Sequence, residues 1–273
     1  MAKPAVLTEY TVFSPKLTRG LEIALVTDLH ERRAPDILRQ LRRAKPDLIA
    51  VAGDTLESYA EKGEKTYRTI RYNAFKRFLI GAGFYLNHSL NRVFGRNNPN
   101  DPEFAFDFLR RSARLAPVFM SLGNHEESFP DDYRQKLREL GVTLLDNADT
   151  ELVIKGQRLR LGGLSSVYDR EWLDRFSKKD GCKLLLCHHP EYYDELIDGE
   201  AFDLVLAGHT HGGQIRLFDK AIFSPGGGLF PKYGGGLYDG RLAVSRGCSN
   251  TAAMPRLNNP RELVLIHFKG NTA

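Results

Sequence analysis

The chain has 273 residues and is 42% hydrophobic and 27% charged, a balance typical of globular proteins that bury a substantial core. Its longest apolar stretch, FLIGAGFYL at 78–86, is far shorter than the ~20 residues that a membrane-spanning helix needs. The net charge is a modest +5, so charge alone does not identify a partner.

Short apolar runs alternate with helical patterns along the chain. LEIALVTD (21–28) and PDLIAVAGD (46–54) predict buried strands, and APDILRQLRRA (34–44) predicts the helix between them. Such a βαβ unit favours a parallel, internal sheet. The remaining predicted elements are strands at 116–123, 183–189, 202–208, 241–247 and 262–268, helices at 102–114, 131–140 and 191–197, and hairpins within 142–164 and 212–227. The pattern predicts a single α/β domain over 1–273 with mixed sheets.

The segment 57–100 differs from the rest of the chain in charge. It holds eight lysines and arginines against three glutamates, and this excess equals the net charge of the whole chain. Apolar residues recur at helical spacing between Tyr67 and Ala82, which predicts an amphipathic helix. Three readings stay open: a helix packed on the core, a cap that contacts an anionic membrane or lipid substrate, and a nucleic-acid surface, which is the least favoured.

Most of the predicted strands end in residues that bind metals. TDLH, AGDT, LGNHE, LCHHP and AGHTH follow successive apolar runs, and sites in open α/β sheets form beyond the carboxyl ends of strands. Carboxylates and imidazoles are the ligands of manganese, iron and zinc. The set exceeds the needs of one tetrahedral ion and suits two ions that share a carboxylate. Its members are Asp28, His30, Asp54, Asn124, His125, His188, His189, His209 and His211.

In this order, DLH, GD, GNHE, CHHP and GHTH resemble the motifs of the calcineurin-like metallophosphoesterase superfamily. The C-terminal stretch GHTHGGQIRL, with the later RLNNPRELVLI, resembles its YkuE/YaeI-type branch, and the similarity runs from about residue 21 to 268. The resemblance implies a four-layer αββα sandwich, in which two mixed β-sheets are flanked by helices.

The resemblance also implies a centre of two divalent ions, with Mn²⁺ favoured over Fe, Zn²⁺ or Co²⁺. Asp54 would bridge the two ions. The ligands implied for the first ion are Asp28, His30, Asp54 and His211, and those implied for the second are Asp54, Asn124, His188 and His209. His189, beside a ligand in CHHP, is expected to be a neighbour rather than a ligand.

The implied reaction is hydrolysis of a phosphodiester, pyrophosphate or phosphomonoester by metal-bound hydroxide. Asn124 and His125 would contact the phosphate, and His125 would also assist the leaving oxygen. Glu126, at a position where the family more often has Asp, would orient His125. Arg246 is a further candidate for a substrate contact, whereas Glu191 is expected to be solvated.

Members similar to this branch include a pyrophosphatase that cleaves UDP-diacylglucosamine. A lipid-linked nucleotide of this kind would fit a cap that is basic and aromatic, as the segment 57–100 is. Two other functions stay open: a nuclease of the same superfamily, and a catalytically silent scaffold. The three cysteines match no zinc-ribbon spacing and are expected to be reduced thiols. The N-terminal residues lack a signal-peptide pattern, so the expected location is cytoplasmic, with peripheral contact at the membrane.

Overall fold

The computed structural model describes residues 4–58, 101–197, 199–218, 220–224, 228–250 and 256–270. Their strands are β1 (Val6–Ser14), β2 (Leu21–Val26), β3 (Leu48–Ala52), β4 (Val118–Ser121), β5 (Val142–Leu144), β6 (Ala148–Ile154), β7 (Gln157–Leu164), β8 (Lys183–Cys187), β9 (Leu204–Ala207), β10 (Ile215–Leu217), β11 (Lys220–Ser224), β12 (Gly228–Leu229), β13 (Gly236–Tyr238), β14 (Leu242–Val244) and β15 (Glu262–Gly270). Their α-helices are α1 (Pro35–Ala44), α2 (Pro102–Ala113), α3 (Asp131–Glu139), α4 (Arg170–Ser177) and α5 (Tyr192–Glu195).

Two six-stranded mixed sheets form the centre of the fold. The first has the order β1-β15-β2-β3-β4-β5, in which only the β15–β2 pair is antiparallel. The second has the order β13-β14-β9-β8-β7-β6, with antiparallel pairs at both edges. A small sheet, β10-β11-β12, follows the last histidines of the site.

The strand sequences explain the layering. Successive residues of a strand point to opposite faces, so Ile23 and Leu25 of β2 lie between the sheets, while Ala24 and Val26 face α1 and α2. On the second sheet, Leu184 faces the first sheet and the next residue of β8 packs on α4 and α5. Strands buried on both faces therefore read as unbroken apolar runs. The predicted αββα sandwich is confirmed.

Local signals also set the helix boundaries. Pro102 opens α2, and the Asp101 carboxylate caps it by accepting a hydrogen bond of 2.9 Å from the Glu103 backbone N–H. Pro35 likewise opens α1, and Lys45 ends it in a left-handed conformation. Both helices pack their apolar stripes on the first sheet and fix the loops that follow β2 and β3.

Three predicted features lie outside the metal-binding motifs: the basic segment, the lack of a membrane-spanning helix and the reduced cysteines. The basic insertion predicted at 57–100 lies, from residue 59 on, outside the described residues, so its helix and its contacts stay predictions. Among the described residues, no helix is both long and apolar enough to cross a membrane. The three cysteines are free of disulfides and buried.

Candidate metal centre

The predicted ligands come together at one edge of the two sheets. Asp28 and His30 follow β2, Asp54 follows β3, and Asn124 follows β4 in the first sheet. The second sheet contributes the histidines that follow β8 and β9, namely His188, His209 and His211. Because these strands are parallel neighbours within each sheet, their carboxyl ends place the side chains on one cleft.

The backbone at these ligands is strained. Five ligand residues have left-handed φ angles: Asp28 (55°), His30 (50°), Asp54 (53°), His209 (69°) and His211 (50°). Each such non-glycine conformation costs about 1–3 kcal/mol and persists only where the surroundings impose it. Hydrogen bonds between the loops impose it here, since Asp28 N–H donates to the Gly53 carbonyl and His30 N–H donates to the Asp54 carbonyl.

Two glycines of the motifs make room for the carboxylates. A Cβ atom on Gly123 would lie 2.1 Å from Asp54 Oδ1, and one on Gly208 would lie 2.7 Å from Asp28 Oδ2. No other residue fits at such distances without moving the carboxylate. The GNHE and GHTH motifs therefore need glycine before their polar residues.

The donor atoms converge on Asp54 and Asp28. His188 Nε2 lies 3.0 Å and His30 Nε2 lies 3.7 Å from the same oxygen, Asp54 Oδ2. On the other carboxylate, His211 Nε2 lies 3.4 Å and His30 Nε2 lies 4.0 Å from Asp28 Oδ1. Donors bound to one ion at the usual ~2.0–2.2 Å lie at such separations from one another.

Two groups of donors follow from these distances. In the group Asp28, His30 and His211, one atom from each residue lies within 4.8 Å of the others, and the same holds for Asp54, His188 and His209. The two groups contain six of the seven ligands that the motifs imply, all except Asn124, and a further group of this kind joins His30, Asp54 and His125. Asp54 Oδ2, in the second group, also lies 3.7 Å from His30 Nε2 of the first group.

Four buried donor atoms lack a hydrogen-bond partner among the described residues: Asp28 Oδ2, His30 Nε2, Asn124 Oδ1 and His188 Nε2. A buried polar atom without a partner costs about 1–3 kcal/mol, so four in one cleft indicate a missing common partner. Oxygen and imidazole donors fit a borderline divalent cation. All four belong to the predicted ligand sets, and the residues present fit a metal centre.

Hydrogen bonds turn two of the imidazoles toward the cleft. The Ala52 carbonyl accepts a bond of 2.8 Å from His188 Nδ1, and the Glu57 carboxylate accepts one of 2.7 Å from His30 Nδ1. In the tautomer that donates both of these bonds, the ring proton lies on Nδ1. The Nε2 lone pair is left for a metal, as is usual for ligating histidines.

Burial and charge set the protonation states of the ligands. Burial alone would raise the pKa of Asp54, but nearby histidines, above all His188, hold this pKa well below its usual range. Burial lowers the pKa of His209 to about 3 and that of His211 well below the ordinary value. Burial would also lower the pKa of His188, yet Asp54 raises it to about 10. The raised pKa means that His188 holds a proton next to Asp54. A metal cation bound beside Asp54 would replace this proton.

The model of the calcineurin-like phosphoesterase family matches residues 21–213, which include every ligand of the two donor groups. The chain belongs to this family.

Curated relatives agree with the family. The uncharacterized protein YpbG of Bacillus subtilis is 25% identical over 72% of this chain and 63% of its own. An uncharacterized metallophosphoesterase of Campylobacter jejuni is 25% identical over 94% of this chain and 61% of its own. The phosphodiesterase YaeI of Escherichia coli, 30% identical over 41% of this chain and 43% of its own, supports a YaeI-like branch. The chain thus spans less than two thirds of each of these relatives.

Glu126 of this calcineurin-like phosphoesterase has a different role from the predicted one. Its fully buried carboxylate accepts four hydrogen bonds of 2.7–3.0 Å from the backbone N–H groups of Gly123, Asp54, Thr55 and Leu56. Burial and the charge of Asp54 raise the pKa of Glu126 to about 7, although the hydrogen bonds from the backbone act to lower it. The carboxylate joins the loop after β3 to the loop after β4. The prediction that Glu126 orients His125 is therefore wrong.

We expect Glu126→Ala to lower the free energy of unfolding by about 3 kcal/mol or more, because four buried N–H groups lose their acceptor. Glu126→Gln keeps one carbonyl acceptor and should cost less. Urea unfolding at constant metal concentration measures the change, with Glu139→Ala, an exposed glutamate of α3, as the control. A Glu126→Ala protein as stable as Glu139→Ala would contradict this structural role.

Glu57 makes the contact that was assigned to Glu126. Its Oε2 accepts a bond of 2.8 Å from His125 Nδ1, while its Oε1 holds His30. Burial would raise the pKa of Glu57, but the hydrogen bonds from His125 and His30 keep it well below its usual value. In the sequence, Glu57 is one of the three glutamates of the basic segment 57–100 and belongs to none of the metal-binding motifs. Its position three residues after Asp54, across a turn, is the signal that could have identified it.

Two arginines also differ from expectation. Arg246 was a candidate for a substrate contact, but its guanidinium bonds Glu262 through Nε at 2.7 Å and Thr8 through Nη2 at 3.0 Å. Its charge is already neutralised inside the protein, which argues against that contact. Arg256, which was not predicted, places Nη2 3.2 Å from His211 Nδ1 and adds to the lowering of the His211 pKa by burial.

Proposed function

We propose that this calcineurin-like phosphoesterase hydrolyses phosphate esters at a centre of two divalent metal ions bridged by Asp54. The observation that carries the proposal is the set of unpartnered, buried donors around Asp54 Oδ2 and Asp28. Mn²⁺ is the proposed ion, since the carboxylates of Asp28 and Asp54 and the amide oxygen of Asn124 suit it. Bound metal ions of this kind polarise phosphoryl oxygens and lower the pKa of water.

Each of the two ions would have its own set of ligands. Asp28, His30 and His211 would hold one ion, and Asn124, His188 and His209 would hold the other, with Asp54 common to both. All of them except Asn124 and His209 are buried, so bulk water is excluded from most of the ligands and their interaction with charge is stronger. Strained loops and shared hydrogen bonds fix these side chains before substrate binds.

His125 would act on the substrate. Its side chain is 26% exposed, against 1% or less for Asp54 and His30, so it lies at the open side of the centre. Its Nε2 faces the donor group at 3.8 Å from Asp54 Oδ2. Burial acts to lower the pKa of His125, but the hydrogen bond to Glu57 outweighs it and raises this pKa. Protonated Nε2 would hold the phosphate and give its proton to the leaving oxygen.

We expect Glu57→Gln to lower kcat by about 10- to 100-fold, since it weakens the orientation of both His125 and His30. It should also lower the pKa of His125, because the neutral amide no longer favours the imidazolium. The alkaline limb of the kcat profile, where His125 loses its proton, should therefore move to lower pH. Rate measurements over pH on metal-loaded enzyme check this, and an unmoved limb would contradict the pairing.

Metal removal tests the proposed activity directly. Purified protein should contain about two transition-metal equivalents per chain by elemental analysis, as expected for a two-metal phosphoesterase. It should hydrolyse bis-p-nitrophenyl phosphate or p-nitrophenyl phosphate. Dialysis against a chelator should abolish turnover and lower the unfolding temperature, and Mn²⁺ should restore both. Full turnover in the chelated protein would reject the proposal.

The substrate class is proposed on narrower grounds. The name of the relative YaeI favours a phosphodiester. The basic and aromatic segment 57–100 favours an anionic amphiphile, for which UDP-diacylglucosamine is one candidate, or peripheral contact with anionic membrane. Deletion of residues 60–98 should then abolish sedimentation with phosphatidylglycerol vesicles while p-nitrophenyl ester hydrolysis continues. Unchanged sedimentation would end this part of the proposal.

A further inference from the structure

A second cluster of potential ligands lies beside the metal centre. Glu191 was expected to be solvated, but its side chain is only 21% exposed and its Oε1 accepts a bond of 3.1 Å from His189 Nδ1. The same oxygen lies 3.9 Å from His209 Nε2. The three residues form a compact group, with one donor atom of each within 4.8 Å of the others.

We propose that His189, Glu191 and His209 form an auxiliary binding site for a divalent cation, which adjoins the main centre through the shared His209. Two imidazoles and one carboxylate are a donor set that Zn²⁺ and Fe²⁺ bind. Donors on one ion at ~2.0–2.2 Å lie ~3–4 Å apart, as Glu191 Oε1 does from the two ring nitrogens.

The surroundings of His189 support this assignment independently. His189 is 7% exposed, and its Nε2 is buried without a hydrogen-bond partner among the described residues. The one bond of this imidazole among the described residues is therefore that of Nδ1 with Glu191 Oε1. The ring packs 4.3 Å from that of His209 and 4.8 Å from that of Tyr192, centre to centre. These contacts hold the imidazole next to Glu191.

The cation would replace the proton between His189 Nδ1 and Glu191 Oε1. Glu191 is the most exposed of the three side chains, which gives an ion a path from solvent. Because a neutral imidazole has a single free lone pair, His209 would hold an ion of one group at a time, so an ion in the auxiliary site would compete for His209 with the second ion of the proposed hydrolytic centre. The auxiliary ion is not required for hydrolysis.

Zn²⁺ binding to the full chain tests the proposal, by elemental analysis after equilibrium dialysis. The measurement uses an Asp54→Asn background, which weakens the main centre and leaves the auxiliary donors intact. Adding Glu191→Gln should remove one Zn²⁺ equivalent from this background, and His189→Gln should do the same. Asp194→Asn, an exposed acid of the same helix region, should remove none.

Equal Zn²⁺ content with and without Glu191→Gln in the Asp54→Asn background would overturn the auxiliary site. The auxiliary site would also be overturned if Glu191→Gln lowered the Zn²⁺ content only in protein that retains Asp54. In that case Glu191 would act only by positioning His209. Circular dichroism and thermal unfolding verify that each variant is folded. Neither outcome affects the proposed hydrolysis, which the chelation experiment on the wild-type chain tests separately.

Discussion

Asp54→Ala should lower kcat/KM for bis-p-nitrophenyl phosphate by about 1,000-fold or more. Asp54 Oδ2 lies close to imidazoles of both donor groups, 3.7 Å from His30 Nε2 and 3.0 Å from His188 Nε2. Its loss removes the shared negative ligand, and with it several kcal/mol of stabilisation of the transition state, where each ~1.4 kcal/mol is a factor of ten. Bound metal should fall at the same time, as elemental analysis would show.

The controls for this variant separate chemistry from folding. Asp54 Oδ1 also accepts a 2.9 Å bond from the His125 backbone N–H, so Asp54→Asn, which keeps an oxygen there, serves as the milder variant. Asp107→Ala changes a surface carboxylate of α2 and should leave rate and metal content unchanged. An Asp54→Asn enzyme with wild-type rate and metal content would show that Asp54 does not bridge the ions.

His125→Ala should lower kcat by about 100- to 10,000-fold, the range of a lost general acid. Unlike Asp54→Ala, this change should leave the metal content at the wild-type level, because His125 belongs to neither of the two ligand sets that the motifs imply. The loss should be larger for alkyl esters than for p-nitrophenyl esters. A poor leaving group depends more on a proton from Nε2 than a good one does.

Kinetics with a series of leaving groups would check this role. The dependence of kcat on leaving-group pKa should be steeper for His125→Ala than for the wild-type enzyme. His267→Ala is the matched control, since that imidazole pairs with Glu9 and Glu22 on the first sheet, apart from the donor groups. Equal slopes for His125→Ala and wild type would assign His125 to phosphate binding alone.

The central fold could be predicted because its strands are apolar on both faces. Val26 and Ala52 end β2 and β3, and the two residues after each were predicted as strand but form the ligand loops. β1 was not predicted, because it is an edge strand in which exposed residues alternate with partly buried and, at its end, buried ones, so it lacks an unbroken apolar run. β13 was not predicted either, since its glycine-rich sequence is typical of loops and its pairing with β14 decides its conformation.

The ligand set could be predicted because each ligand belongs to a short motif directly after an apolar run. The contacts of those ligands could not, since they join residues far apart in sequence. Glu57 reaches His125 over 68 positions, and Arg256 reaches His211 over 45. Glu126 was assigned wrongly because sequence adjacency to His125 does not show where its carboxylate points.

Anomalous X-ray scattering from Mn²⁺ in crystals of the intact protein would test the metal centre most directly. The map should contain two peaks ~3.5–4 Å apart, the spacing of two-metal phosphoesterase centres, with the Asp54 carboxylate in contact with both. A single peak in the cleft, or two peaks of which Asp54 touches only one, would contradict the shared-ligand arrangement.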